Sequence, residues 1–254
     1  MRIIFYNIEY LEGATGKKYE YLELWKRLIP PKNIQKNIVK ELKKHNPDIV
    51  SLVEIGGDFI SSEKKHVNYF KKNLKMKYHM DRIKYNFKKI SLFKYIPIFN
   101  SQSNAVFSKI KIRKSKVYFL KKGMKRTVLR VDLEKPNIAL IVVHLALGKK
   151  TRQSQISELI KIIKKIKKPV VLMGDFNTFG GEKEIKKLLK ETHMKHKFRL
   201  TNNQTYTFPS FHPKKRFDYV ITSKEIKVKK YKVLKIKYSD HLPLLVDIEV
   251  KDKK

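Results

Sequence analysis

The run Val170-Val171-Leu172-Met173, continued by Gly174-Asp175-Phe176-Asn177-Thr178, is the stretch that most constrains this chain. Four consecutive apolar residues bounded by a turn signal predict a buried strand. Such a strand delivers its last residues to a sheet rim with little positional freedom. In an extended segment, side chains two residues apart point the same way. Asp175 and Asn177 are therefore expected to project together at one edge. There the carboxylate can take a proton from water or hold a metal ion, and the amide can orient a phosphate oxygen. Gly, Asp and Asn are also ordinary turn residues, so this stretch alone does not separate a reactive edge from a strand-to-helix turn.

The remaining segments set the context. Arg2 to Ile8 and Asp48 to Glu54 read as strands, each with a polar residue at its end: Asn7 and Glu54. Further strands are predicted over Met76 to Ile83, Ser103 to Ser108, Ile112 to Leu120, Arg126 to Leu133, Ile138 to His144, Arg216 to Ser223, Val228 to Tyr238 and Leu242 to Val250. Helical periodicity covers Lys32 to His45 and Thr151 to Ile166, and helices are also expected over Glu63 to Leu74 and Glu182 to Lys190. Tyr10 to Gly16 reads as a loop, Gly56-Gly57 as a turn, and Lys195 to Lys215 as irregular. Successive strands joined by short loops imply antiparallel pairing. There is no evident repeat and no Pro/Gly/Ser linker. The pattern predicts an α/β (α+β) sandwich, sheet on sheet with helices outside, as one domain over residues 1–254.

Composition narrows the function classes. Apolar residues make up 41% of the chain, enough for a sizeable core, and the absence of Cys excludes disulfides and thiolate chemistry. No apolar run approaches the roughly 20 residues of a membrane span. Met1 leads straight into a strand, without a signal-peptide pattern. A soluble cytoplasmic monomer is expected. Net charge is +37, from 60 Lys and Arg against 23 Asp and Glu. Such a field attracts polyanions: nucleic acid, anionic lipid or phosphorylated small molecules. Only nine of the 60 cations are Arg, the residue suited to bidentate phosphate contacts; an excess of Lys is equally a mark of compositional bias. Tyr85 to Asn100 interleaves aromatic and basic residues, as in a groove for bases, a lipid-facing surface or an amphipathic edge hairpin.

Asn7, Glu54, His144, Asp175 with Asn177, and Ser239-Asp240-His241 all fall beside the ends of apolar strands, while Asp218 sits inside one. Buried carboxylates are costly unless paired or metal-bound. Placing scarce acids against core strands points to a shared site with a hard-cation ligand set and an acid/base pair. No zinc-type spacing is present. The ordered pieces Tyr6-Asn7-Ile8, Ser51-Leu52-Val53-Glu54, Ser103 to Ser108, Val143-His144-Leu145, Gly174-Asp175-Phe176-Asn177, Arg216-Phe217-Asp218-Tyr219-Val220 and Ser239-Asp240-His241-Leu242-Pro243 together resemble the endonuclease/exonuclease/phosphatase superfamily.

The resemblance implies a four-layer sandwich with two mostly antiparallel sheets face to face. It also implies a phosphoesterase dependent on Mg²⁺, with Mn²⁺ as a substitute. By the same resemblance Glu54 would be the principal metal ligand, with Asn7 and Asp240 nearby. Asp175 would position or deprotonate water, and Asn177 would hold a phosphate oxygen. His241, oriented by Asp218, would contact the phosphate or act as base, and His144 would donate to the phosphate or leaving group. Whether Asp175 or His241 is the base, and whether one metal or two operate, stays open. Asn104, Arg126 and Arg152 are candidate phosphate contacts at strand or helix edges. Fold does not decide substrate. The charge favours a nuclease cleaving DNA, or RNA; a phospholipid or phosphoinositide esterase and a basic nucleic-acid binder with an idle site are the alternatives.

Overall fold

The computed structural model describes residues 1–14, 33–56, 63–83, 103–197 and 205–250, with the backbone alone for residues 63, 64 and 83. The Tyr85 to Asn100 segment, Lys32 and Gly57 lie outside the described residues.

Among the described residues, twelve strands form two six-stranded sheets. The first has the order β11-β12-β1-β2-β4-β3, from β1 (Arg2–Asn7), β2 (Ile49–Ile55), β3 (Tyr78–Ile83), β4 (Ser103–Ser108), β11 (Ile226–Val233) and β12 (Leu244–Val250). The second has the order β5-β6-β7-β8-β10-β9, from β5 (Ile112–Phe119), β6 (Thr127–Leu133), β7 (Ala139–His144), β8 (Val170–Asp175), β9 (Lys195–His196) and β10 (Asp218–Thr222). The described α-helices are α1 (Ile34–Lys43), α2 (Glu63–Asn73), α3 (Lys149–Lys164) and α4 (Lys186–Thr192).

The apolar runs explain the layering. Strands β1, β2, β7 and β8 are buried along nearly their whole length, as strands covered on both faces must be. Within β1, Ile3 and Phe5 enter the core between the sheets, while Ile4 and Tyr6 face the core beneath α1 and α2. In β7, Leu140 and Val142 point to the inter-sheet core, and Ile141 and Val143 to the core under α3 and α4. The period-two alternation of the strand thus feeds two cores at once. The result is the predicted four-layer sandwich.

Two features of the topology escape the sequence. First, each sheet has a parallel pair at its centre, β1 with β2 and β7 with β8. Each pair is joined through a helix, α1 or α3, as parallel pairing requires. The other named strand pairs are antiparallel. Second, Ser103–Ser108 and Ile112–Phe119 do not pair, although a short loop joins them. β4 pairs with β2 and β3, whereas β5 pairs with β6. The chain changes sheets at residues 109–111, a sandwich corner held by Ser108, whose Oγ donates to the Ile110 carbonyl at 2.6 Å.

Gly174 is set by the close approach of β8 to β7. A Cβ there would collide with the Val143 carbonyl oxygen and lie 2.6 Å from Val143 Cγ2. Gly174→Ala should therefore destabilise the fold by about 2–3 kcal/mol or more, the range of overpacked cores. Its urea midpoint would fall well below wild type; an unchanged midpoint would show that β7 and β8 can separate freely.

Candidate active site

Parallel central pairs have a chemical consequence: their carboxyl ends emerge on the same side. Asn7 closes β1, His144 closes β7 and Asp175 closes β8, with His144 and Asp175 directly in register. Asp218 opens β10 opposite Asp175. The two sheets then meet through side chains, because Asn7 Nδ2 donates to Asp175 Oδ2 at 3.1 Å.

Asp175 is the hub. Its Oδ2 lies 3.2 Å from His144 Nε2 and 3.9 Å from His241 Nε2. Burial pushes its carboxyl up to about 6, opposed by the charge of His241, raised further by Asp218 and lowered by Lys125. Asn177 converges on it, but not through the extended geometry expected. Its φ is +49°, left-handed, so the chain folds back and the Asn177 backbone N–H donates to Asp175 Oδ1 at 2.9 Å. The Asn177 amide donates to the Leu145 carbonyl at 2.9 Å and reaches Asp175 Oδ2 at 3.3 Å.

His241 lies behind this hub. Its Nδ1 is 2.8 Å from Asp218 Oδ2, and both residues are buried. Phe208 and Phe217 wall the imidazole at centroid distances of 5.0 and 6.1 Å. The Ser239 hydroxyl donates to the Asn7 carbonyl at 2.7 Å and accepts from the His241 N–H at 3.2 Å, tying the Ser239-Asp240-His241 turn to β1. Burial alone would lower the His241 pKa, but the charges of Asp218, Asp240 and Asp175 outweigh it and hold the ring well above its ordinary 6.5. A raised folded value means that this group's stabilisation is complete below about pH 6.5 and is lost as pH rises through the folded value. In EDTA the His241 ring should remain cationic at pH 7 by NMR. Asp218→Asn should lower its midpoint by at least about one pH unit; an unmoved midpoint would show that Asp218 does not control the ring.

Glu54 reaches the site through a bulge. The β2–β4 register shifts between Leu52 and Ile55, and Glu54 takes φ +61°. Bulges of this kind re-aim side chains beside active sites. The Glu54 N–H points at Asn104 Oδ1 at 3.4 Å, and the buried Asn104 Nδ2 has no hydrogen-bond partner among the described residues. Glu54 Oε1 accepts from the Tyr10 hydroxyl at 2.7 Å, lies 3.3 Å from Lys125 Nζ and 3.5 Å from His144 Nδ1. Asp240 is held from the other side, its N–H donating to Glu9 Oε2 at 2.9 Å. Burial raises Glu9 well above the ordinary carboxylate range, and Asp240, Glu12 and Glu54 raise it further. Burial likewise lifts Asp240 to about 6, with His241 opposing and Glu54 adding to the rise. Oxygen donors whose mutual repulsion a cation would relieve fit a hard divalent ion. Among the described residues, no three acidic or imidazole side chains already form a complete ligand set.

Sequence reasoning missed Glu9, Tyr10 and Lys125. Glu9 and Tyr10 belong to a 3-10 turn at Glu9–Leu11 whose residues adopt positive φ, and Lys125 is one cation among many. Arg126 sits half-buried at the entrance to β6. The expectation for Arg152 needs correction. It is 1% exposed, and its Nε and Nη2 donate to Glu184 Oε2 at 2.9 and 2.6 Å. Its Nη1 donates to the carbonyls of Ala146 and Leu147. With Glu184 also accepting from the Gly180 N–H, the pair ties the loop after His144 to the loop after Asn177. An Arg that opens a helix looks exposed in sequence; a buried carboxylate from a distant turn draws it inward. Arg152→Met should cost about 3–5 kcal/mol, because it strands a buried carboxylate, while Arg152→Met with Glu184→Leu should recover much of that loss. Chemical denaturation of both variants checks this; equal stabilities would contradict it.

The sequence pattern of the Endonuclease/Exonuclease/phosphatase family matches residues 32–241. The chain belongs to this family, whose members are in general divalent-metal-dependent phosphoesterases. Similar solved structures include a functionally unknown conserved protein from Enterococcus faecalis, with TM-score 0.72, 17% identity, and coverage of 99% of this chain and 100% of that one. Another is the Bacteroides thetaiotaomicron mannosyl-6-phosphatase, with TM-score 0.68, 15% identity and coverage of 98% and 99%. A third is the human nocturnin catalytic domain with bound sulfate, with TM-score 0.69, 17% identity and coverage of 99% and 93%. At these identities the likeness is one of fold. No curated protein matches the sequence closely enough to count as a relative. No helix among the described residues is long and apolar enough to cross a membrane.

Proposed function

We propose that this chain is a nuclease: a divalent-cation-dependent phosphodiesterase that cleaves nucleic acid through attack of water. The observation that carries the choice of substrate is the rim of the site. Exposed lysines come in pairs: Lys121 with Lys122 on the loop before Lys125, Lys149 with Lys150 at the start of α3, and Lys214 with Lys215 on the loop before β10. Large apolar side chains are exposed beside them: Met124, Leu147 and Tyr206 on the same connections and Phe179 on the loop after Asn177, at 54, 58, 46 and 49% exposure. Lys215 Nζ lies 5.2 Å from the centroid of the Phe179 ring. Cations interleaved with aromatic faces suit a strand whose phosphates pair with lysines and whose bases stack.

The residues divide the work as follows. Glu54, Asp240 and Asn7 would hold Mg²⁺, or Mn²⁺ in its place, which when bound supplies charge stabilisation for the phosphate oxygens as water attacks. Asp175 lies 3.2 Å from His144 and 3.1 Å from the Asn7 amide, a position from which it can take a proton from the attacking water. The cationic His241 can donate to a non-bridging oxygen, with Asp218 fixing its ring. His144 would give a proton to the leaving oxygen, so that it departs as an alcohol. One P–O bond forms from water and one breaks.

Purified protein on plasmid, single-stranded DNA and RNA, with Mg²⁺ or with EDTA, tests the reading. Cleavage should need both metal and His241, falling at least about 10²-fold in His241→Ala. Turnover of sphingomyelin or phosphoinositide vesicles with no cleavage of any polymer would replace the nuclease by a lipid esterase. Binding to all three polymers without cleavage would leave a nucleic-acid binder. Replacing Lys121, Lys122, Lys149 and Lys150 by Gln should flatten the salt dependence of polymer cleavage, while affecting a small phosphodiester far less. An unchanged salt slope would show that the rim lysines do not meet the phosphates.

A further inference from the structure

We propose that Lys125 is a built-in counter-cation that stands where the divalent ion would bind, so that the metal must displace its ammonium to reach Glu54. The inference rests on the divalent-cation reading above. Lys125 Nζ lies 3.3 Å from Glu54 Oε1 and 2.6 Å from His144 Nε2. These two side chains come from different sheets, and both belong to the site. Its own side chain is only 20% exposed, in contrast to the rim lysines.

The placement is built rather than incidental. The buried Gln155 donates through Nε2 to the carbonyls of Lys122 and Lys125, at 2.9 and 2.8 Å. The same amide accepts through Oε1 from the Ala146 N–H at 2.8 Å. One side chain of α3 thus fixes the Lys125 backbone and the loop that follows His144. Gly123, at φ +90°, packs so closely against Gln155 and Thr151 that a Cβ would lie 2.8 Å from Gln155 Nε2. With the backbone held by Gln155, the ammonium would leave by rotation of the Lys125 side chain. In this position it balances part of the charge of Glu54 and Asp175, which would otherwise face each other's neighbours unscreened in a buried pocket. An ammonium and a divalent ion cannot both sit within contact distance of one carboxylate without strong repulsion. The two are therefore alternative occupants.

The test measures binding of Mn²⁺ alone by calorimetry, with no substrate, on the full chain and on Lys125→Met, Lys125→Gln and Glu54→Gln. Lys125→Met should bind Mn²⁺ roughly tenfold tighter than wild type, the effect of removing one partly screened competing charge. Its metal-free melting temperature should fall, and its gain on adding Mn²⁺ should exceed that of wild type. Lys125→Gln supplies the same comparison if the Met variant does not fold. Equal or weaker Mn²⁺ binding in the neutral variants would overturn the inference while leaving the metal site intact. Mn²⁺ binding that survives unchanged in Glu54→Gln, or is absent from every form, would instead remove the metal-site reading and the inference with it.

Discussion

The hydrogen bond from Asn7 to Asp175, 3.1 Å long, joins the two sheets at the point where their central strands end. The rest of the site depends on this convergence. Two parallel pairs, each needing a helical crossover, send Asn7, Glu54, His144 and Asp175 out of the same end of the sandwich. Antiparallel neighbours then bring Asp218 back toward Asp175. The carboxylates that gather there are buried, and burial penalises their charge. Imidazolium, ammonium and amide groups offset that penalty, and a divalent ion would complete it. The fold therefore concentrates negative charge in a place where only cations and proton transfers can relieve it, which is the setting phosphoryl chemistry uses.

Supporting contacts hold that geometry from within the scaffold. The Arg152–Glu184 pair and the Gln155 amide tie three loops to α3 and to one another. Ser239 does the same for the His241 turn from the other sheet. These groups use up their polar atoms in the scaffold, which leaves Asp175, His241 and His144 facing the common space. Outside it, the charge is carried by exposed lysines, whose effect is long-ranged and salt-dependent.

Much of the fold is legible in the sequence because its central strands are apolar on both faces. Runs such as Val170 to Met173 and Ala139 to Val143 admit few other readings. The sheet change after Ser108 is not legible, because a short loop between two strands normally signals a hairpin, and only packing reveals the corner. The site divides in the same way. Residues at strand ends, such as Asn7, His144 and Asp175, are placed by the strands themselves. Glu54 needs a bulge and a left-handed backbone, which its sequence does not announce. Asn177 reaches Asp175 by folding back rather than by extending. Arg152 looks like a surface cation until its distant carboxylate partner is known, and Lys125 is one of many lysines until Gln155 fixes its loop. In each case the missing information is a contact between residues far apart in the chain.

The central claim is that these strand ends activate water against a phosphorus centre, and isotope transfer tests it most directly. A single-stranded oligonucleotide would be cut in ¹⁸O-labelled water with Mg²⁺, and the products weighed by mass spectrometry. The account predicts one label in the new terminal phosphate, none in the new hydroxyl, and loss of the reaction in Asp175→Asn. Label in the hydroxyl, or undiminished incorporation without Asp175, would contradict it.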